Sequence, residues 1–257
     1  MSVRTRVLGV LLVLAAAALG GCAGSGGRAA PELFSVLESR PATGELTAQR
    51  ASVDVAPEVE YEIAGEPGAA WLVWRQAVSS GDGWVVVKAR RGAGTTGEPE
   101  VVSEMPMTRR DDGAIVSPRT SERDDAVVTE FEPALVVMPG VLRAGDTAVQ
   151  SLHMVVRPAD RPDRVKTQGD ATHEIRYEAD ETVRVPAGRF RTQKVVAVLR
   201  ANLGTAKVEN TTESWHAPGA GIVAERRVER VTVFGVPIRS SDRTVVARRI
   251  GAVPADR

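Results

Sequence analysis

One cysteine, Cys22, stands in 257 residues, so the chain can form neither an internal disulfide nor a cysteine-based metal cluster. Aromatic residues are also sparse, with four Trp, four Phe and two Tyr. Neither charge sign prevails: 33 Lys and Arg face 33 Asp and Glu, which leaves no basic field to hold nucleic acid. The three histidines, His153, His173 and His216, give no i, i+4 pair, and no H-E-x-x-H zinc motif occurs. No G-x-S-x-G turn is present to expose a hydrolase serine. The apolar run Val7 to Leu19 falls short of the ~20 residues that a helix needs to cross a bilayer core.

What is present begins with an address. Met1 to Arg6 carries two cations and no acid, the apolar run follows, and Leu19-Gly20-Gly21-Cys22 closes it. A basic start, a short apolar stretch and small residues at its end make a secretory signal over residues 1–21. The final tetrad resembles the lipobox of bacterial lipoproteins. That resemblance implies a diacylglycerol on the Cys22 sulfur, cleavage before it, and an acyl chain such as palmitate on the freed amine. Each buried methylene of such chains contributes about 0.8 kcal/mol, so two or three chains hold a protein at the bilayer without a spanning helix. Ala23 follows the cysteine, where an aspartate would imply retention at the inner membrane. By that resemblance, a double-membraned host would carry the protein on its outer membrane, facing the periplasm.

Cleavage leaves 236 residues, enough for one large β domain or two small ones. Without Arg4 and Arg6, 31 basic residues face 33 acidic ones. Residues 23–31, rich in Gly, Ala and Ser, read as a flexible tether spanning on the order of 15–18 Å as a coil. Pro31 to Arg40 places Leu33, Val36 and Leu37 at helical spacing before Pro41, which predicts one short amphipathic helix.

The rest reads as strands. Trp84 to Arg90 and Val127 to Phe131 are β-branched and aromatic, and Leu152, Met154 and Val156 alternate with polar neighbours. From Thr172 onward, strands alternate with turn signals at Pro186-Ala187-Gly188, Leu203-Gly204, Ala217 to Gly221 and Phe234-Gly235. The first of these predicts a three-residue hairpin loop with a bulge. Regular spacing of this kind predicts an all-β antiparallel meander, forming a curved sheet, a sandwich or a partly closed barrel. Thr108 to Asp125 and Arg157 to Gly169 read as exposed loops. Residues 32–257 are expected as one β-rich domain, with 57–139 and 140–250 as its possible halves.

Several segments occur together in one order: Leu135 to Pro139, Gly145-Asp146, Val185-Pro-Ala-Gly188 with Phe190 and Lys194-Val195, then Trp215 to Val223. Over residues 133–230 this set is similar to a family of bacterial envelope β proteins with V-P-A-G-x-F and W-x-A-P-G-x-G motifs. Some members look like the half-barrels of lipoprotein carriers. His216 stands where the family has Tyr, and Ala220 where it has Val. The shared residues are turn formers and large anchors, so the resemblance implies a fold and an address and supplies no catalytic set.

Other patterns have bland readings. Gly92-Ala-Gly94-Thr-Thr-Gly97 fits G-x-G-x-x-G, but extended sequence follows where a dinucleotide site needs a helix, so it reads as a hairpin loop. Asp111-Asp112 and Asp124-Asp125 read as solvated surface, with weak calcium binding as the alternative. His173 shares a strand face with Ile175 and Tyr177, which suits a hydrogen-bonded histidine. Trp71 and Trp74, three apart on a strand, point to opposite faces. With Phe190 and Trp215 they are the candidate core anchors or walls of an apolar ligand site. No metal, cofactor or catalytic residue is expected apart from the lipid on Cys22. The chain therefore reads as a membrane-anchored, non-catalytic envelope lipoprotein that binds an apolar ligand or a partner protein, or serves as a scaffold. A hydrolase using one of the three histidines is the alternative.

Overall fold

A computed structural model describes residues 33–51, 58–66, 68–78, 83–92 and 98–251. The signal segment, Cys22, the tether and most of the G-x-G-x-x-G match lie outside the described residues. Fifteen strands follow in order: β1 (Ser35–Pro41), β2 (Glu45–Thr47), β3 (Val59–Ile63), β4 (Ala70–Ala77), β5 (Trp84–Arg91), β6 (Glu100–Arg109), β7 (Ile115–Glu122) and β8 (Val127–Met138). Then come β9 (Val141–Arg143), β10 (Thr147–Pro158), β11 (Thr167–Val185), β12 (Gly188–Leu203), β13 (Ala206–Ala217), β14 (Gly221–Val233) and β15 (Val236–Ile250).

Twelve of them close into an antiparallel barrel. The sheet runs β11-β10-β8-β7-β6-β5-β4-β3-β15-β14-β13-β12, and β12 returns to β11. Nearly every connection is a local hairpin, as the alternating strand and turn signals predict. Closure leaves each of these strands a neighbour on both sides, which removes most of the exposed edge an open sheet would present.

Three local expectations need correction. The stretch read as a helix is strand β1, paired to β11 from Ser35↔Arg184 to Pro41↔Ala179, while Pro31 and Glu32 lie outside the described residues. The reason is tertiary: β10 pairs with β11 only as far as Arg176, so the later half of β11 has an open side that β1 fills. Thr108 to Asp125 is not one loop. It contains β7, whose Ser117, Thr120 and Glu122 are buried, while Pro118, Arg119 and the flanking turns are exposed. The Val185↔Gly188 pair leaves a two-residue turn at Pro186-Ala187 in place of the three-residue loop.

The barrel has two distinct ends. Leu33 and Phe34 pack at the near end, beside the 186–187 and 218–220 turns, in a cluster built on Tyr61, Trp71, Val183, Trp215 and Val245. The small β2–β9 pair helps close this end, with Leu46 and Leu142 buried against Trp84, Ile115 and Tyr177. A third apolar cluster, including Phe131, Met154, Leu199 and Val231, fills the far half on the β8 to β14 side. The far end itself carries the 204–205 and 234–235 turns, joined by the Phe234 amide donating to the Thr205 carbonyl at 3.0 Å.

Candidate functional site

The ladder lapses at two places, and each lapse gathers polar groups. The first is the seam between β15 and β3. Only Val245 to Ile250 of β15 pair with β3, because β3 turns away after Ile63. The lower part of β15 is exposed on its outer face, and Arg239 and Arg243 alternate inward. Pro and inward-pointing charges are the usual means of protecting a free strand edge, and Pro237, Arg239 and Arg243 supply both.

Those arginines join a charged layer inside the barrel. Alternation along the paired strands puts Lys88, Ser103, Glu122, Glu225, Arg227 and Glu229 on the same inner face. Arg239 lies 3.2 Å from buried Glu229, and Arg227 lies 3.1 Å from Glu225. Glu122 accepts a hydrogen bond from Ser103 Oγ at 2.8 Å. The Trp71 ring takes the Lys88 Nζ on its face, with the Arg243 guanidinium 4.9 Å from its centroid. Side-chain exposures of 17–19% for Arg227, Arg239 and Arg243 show that water reaches this half of the interior. Burial pushes the Lys88 ammonium down to about 7 and the Glu122 carboxyl up to about 7.

The second lapse is a slit between β8 and β10. Their pairing ends at Glu132↔His153, and Pro133, which has no N–H, follows at once. The Gln150 side chain then replaces the ladder. Its Nε2 donates to the Ala134 carbonyl at 2.9 Å, and its Oε1 accepts from the Val136 amide at 2.9 Å. Beside it is a pocket of about 330 Å³ lined by Val136, Pro139, Ala148 and Ile175, together with Arg110 and Asp112. Val141 and Val149, 50% and 63% exposed, also line it. His173 lies in this pocket, buried, with its pKa lowered to about 4 by desolvation, which outweighs the opposing effect of the Val136 backbone. Its Nδ1 is buried without a hydrogen-bond partner among the described residues.

The sequence-predicted residues separate between these settings. Trp71 and Trp215 are buried in the near-end cluster, with Phe190 partly buried against it and Phe34 4.7 Å from the Trp215 ring. The Trp215 Nε1 donates to Glu181 Oε2 at 2.6 Å. Trp74 is half-buried on the outer face opposite Val87. The three histidines make separate contacts. His153 Nδ1 pairs with Asp170 at 2.9 Å on the surface, whereas His216 is buried between Ser214 Oγ at 2.9 Å and the Ala51 carbonyl at 3.1 Å. Asp112 caps its own turn and binds Arg110 at 2.7 Å, and Asp124 pairs with Arg90. Among the described residues no three of His, Cys, Asp and Glu are grouped to hold a metal ion.

The charged interior was not legible in the sequence, because Arg and Glu alternating with apolar residues look the same whether their face meets solvent or the inside of a barrel. Nor was the slit, because the Pro133 and Gln150 bridge needs two strands in register. A Pro within an otherwise regular strand was the available signal.

No protein-family model matches the chain, and no curated protein matches it. Two solved structures are similar to it. One, from Bacteroides fragilis, is described as an exported protein with a YmcC-like fold. It is 17% identical with a TM-score of 0.41, over 82% of this chain and 97% of that one. The other, from Parabacteroides distasonis, is described as a lipoprotein. It is 11% identical with a TM-score of 0.42, over the same shares of the two chains.

Proposed function

We propose that this is a lipid-anchored bacterial envelope protein that acts by binding, its slit between β8 and β10 receiving an apolar side chain from a partner protein. The observation that carries the binding reading is His173 Nδ1, a buried ring nitrogen without a partner among the described residues, in a pocket also lined by exposed Val141 and Val149. With the ring proton on Nε2, that nitrogen is an unbonded acceptor costing about 1–3 kcal/mol, which a donor on an incoming group would recover. The volume lies at the small end for ligand sites and suits one large side chain. Tyr and Trp combine an apolar body with one donor and are enriched at such contacts. The anchor rests on the lipobox, and fixing the barrel near a bilayer raises the effective concentration of membrane partners.

The test has two arms. In the first, cells are labelled with radioactive palmitate. Label should enter the protein and disappear in Cys22→Ser, and equal labelling of both forms would remove the anchor. In the second, a photoreactive side chain replaces Val149 in the lipidated protein, with the same group at Glu209 as control. A discrete crosslinked product at 149 that is lost in His173→Phe supports the slit. Identical products from both positions would overturn it.

A further inference from the structure

The far end carries a feature that neither folding nor solubility explains. The β14–β15 hairpin turns through Phe234 and Gly235, with φ of 51° and 81° and the Val233↔Val236 pair closing it. Two positive φ values define a type I′ turn, whose first position favours Asn, Asp or Gly, and a bulky L-residue there is strained. That strained residue is also 80% exposed. Val236 and Ile238 follow at 61% and 53%. Lys207 and Arg230 are exposed on the strands leading to this end, with Glu209 opposite Arg230, and Arg164 is exposed beside Asp163 on the 159–166 connection. An exposed ring held in an unfavourable conformation beside β-branched residues and cations matches an anionic lipid surface, with apolar groups below the headgroups and cations level with them.

Reach permits it. Cys22 precedes the first described residue, Leu33, by eleven positions, a contour of roughly 36–40 Å when extended. β12 runs sixteen residues from the near end to the far end, and with the tilt of barrel strands its height is roughly 35–40 Å. A barrel lying along the surface therefore brings both its anchored end and its far hairpin to one bilayer.

We infer that the Phe234 hairpin is a second membrane contact, inserting Phe234 and Val236 into the anionic bilayer that already holds the Cys22 lipid. The inference rests on the Cys22 anchor and is independent of the slit. Acylation of Cys22 leaves no free thiol, so Val236→Cys in the lipidated protein accepts one environment-sensitive fluorophore. Ser240→Cys serves as control. On vesicles of phosphatidylglycerol and phosphatidylcholine, the label at 236 should shift to the blue. Its quenching by iodide should fall several-fold relative to the label at 240. Phe234→Ser should abolish the difference, and phosphatidylcholine alone should weaken it. A label at 236 as accessible as that at 240, on protein that remains vesicle-bound, overturns the inference. A failed anchor is separately visible as fluorophore on Cys22 itself.

Discussion

The Nζ of Lys88 lies 3.1 Å from the centroid of the Trp71 ring, inside the barrel and within the field of Glu122, Glu225, Arg227 and Arg243. An ammonium on an indole face recovers part of its lost hydration, and the surrounding carboxylates recover more. The remaining penalty makes this layer sensitive to pH.

Glu122 and Lys88 penalise folding when ionised, over adjoining ranges. Burial raises the Glu122 carboxyl from 4.5 to about 7, so the folded state binds more protons there and stability falls as pH rises through that window. Burial lowers Lys88 from 10.5 to about 7, so the folded state binds fewer protons above 7 and stability rises again toward 10.5. The pair together should produce a minimum near neutrality, worth on the order of a few kcal/mol. Urea midpoints measured from pH 5 to 10 should show it. Glu122→Gln should flatten the acidic limb and Lys88→Met the alkaline one, and an unchanged profile in both variants would refute the account.

His216 should contribute to acid unfolding. It is buried and held to about 4 by desolvation, so it stays neutral in the fold while the unfolded chain takes a proton below 6.5. The stability it contributes is complete above 6.5 and is lost as pH falls from 6.5 to 4, roughly 3 kcal/mol in all. His216→Asn should be less stable at pH 7.5 but lose less between pH 6.5 and 4.5. A slope equal to the parent protein's would assign the acid response elsewhere.

Gly169 marks a close crossing of β11 and β12. A Cβ there would overlap the Asn202 carbonyl oxygen and crowd the Leu203 Cα, and both obstacles are backbone. Gly169→Ala should destabilise by about 1–3 kcal/mol or more, since the neighbouring strand must shift. Gly204→Ala, with φ of 64° and open space, should cost about 1 kcal/mol through conformation alone. Thermal unfolding of the two variants decides whether crowding exceeds conformational strain.

Phe234→Asn should raise stability. Asn accepts the left-handed conformation at the first position of this turn, where Phe is strained, so a gain of about 1 kcal/mol is expected. For a domain of this size that is about 2–4 °C in Tm. A lower Tm would mean that the ring makes stabilising contacts at the far end, against its 80% exposure.

The all-β class and the C-terminal meander were legible because strand alternation and Gly or Pro turns act over a few residues. From Gly188 to Ile250 the expected and observed strands agree within a few positions at their ends. The same local logic misplaced Ser35 to Pro41, whose helical spacing was overridden by an open side on β11. It also passed over β7, whose charged flanking turns dominate its composition.

By itself, then, the sequence determined the strand-forming alternation and the turns, because each depends on residues adjacent in the chain, and the proposed export signal and Cys22 lipobox rest on the same short-range pattern. Closure of the barrel, the lapse at Pro133 that seats His173, and the meeting of Lys88, Trp71 and Arg243 were decided only by the tertiary structure. Those relationships join residues up to 191 positions apart, and no short-range periodicity encodes which strand edges pair when a sheet curls back on itself.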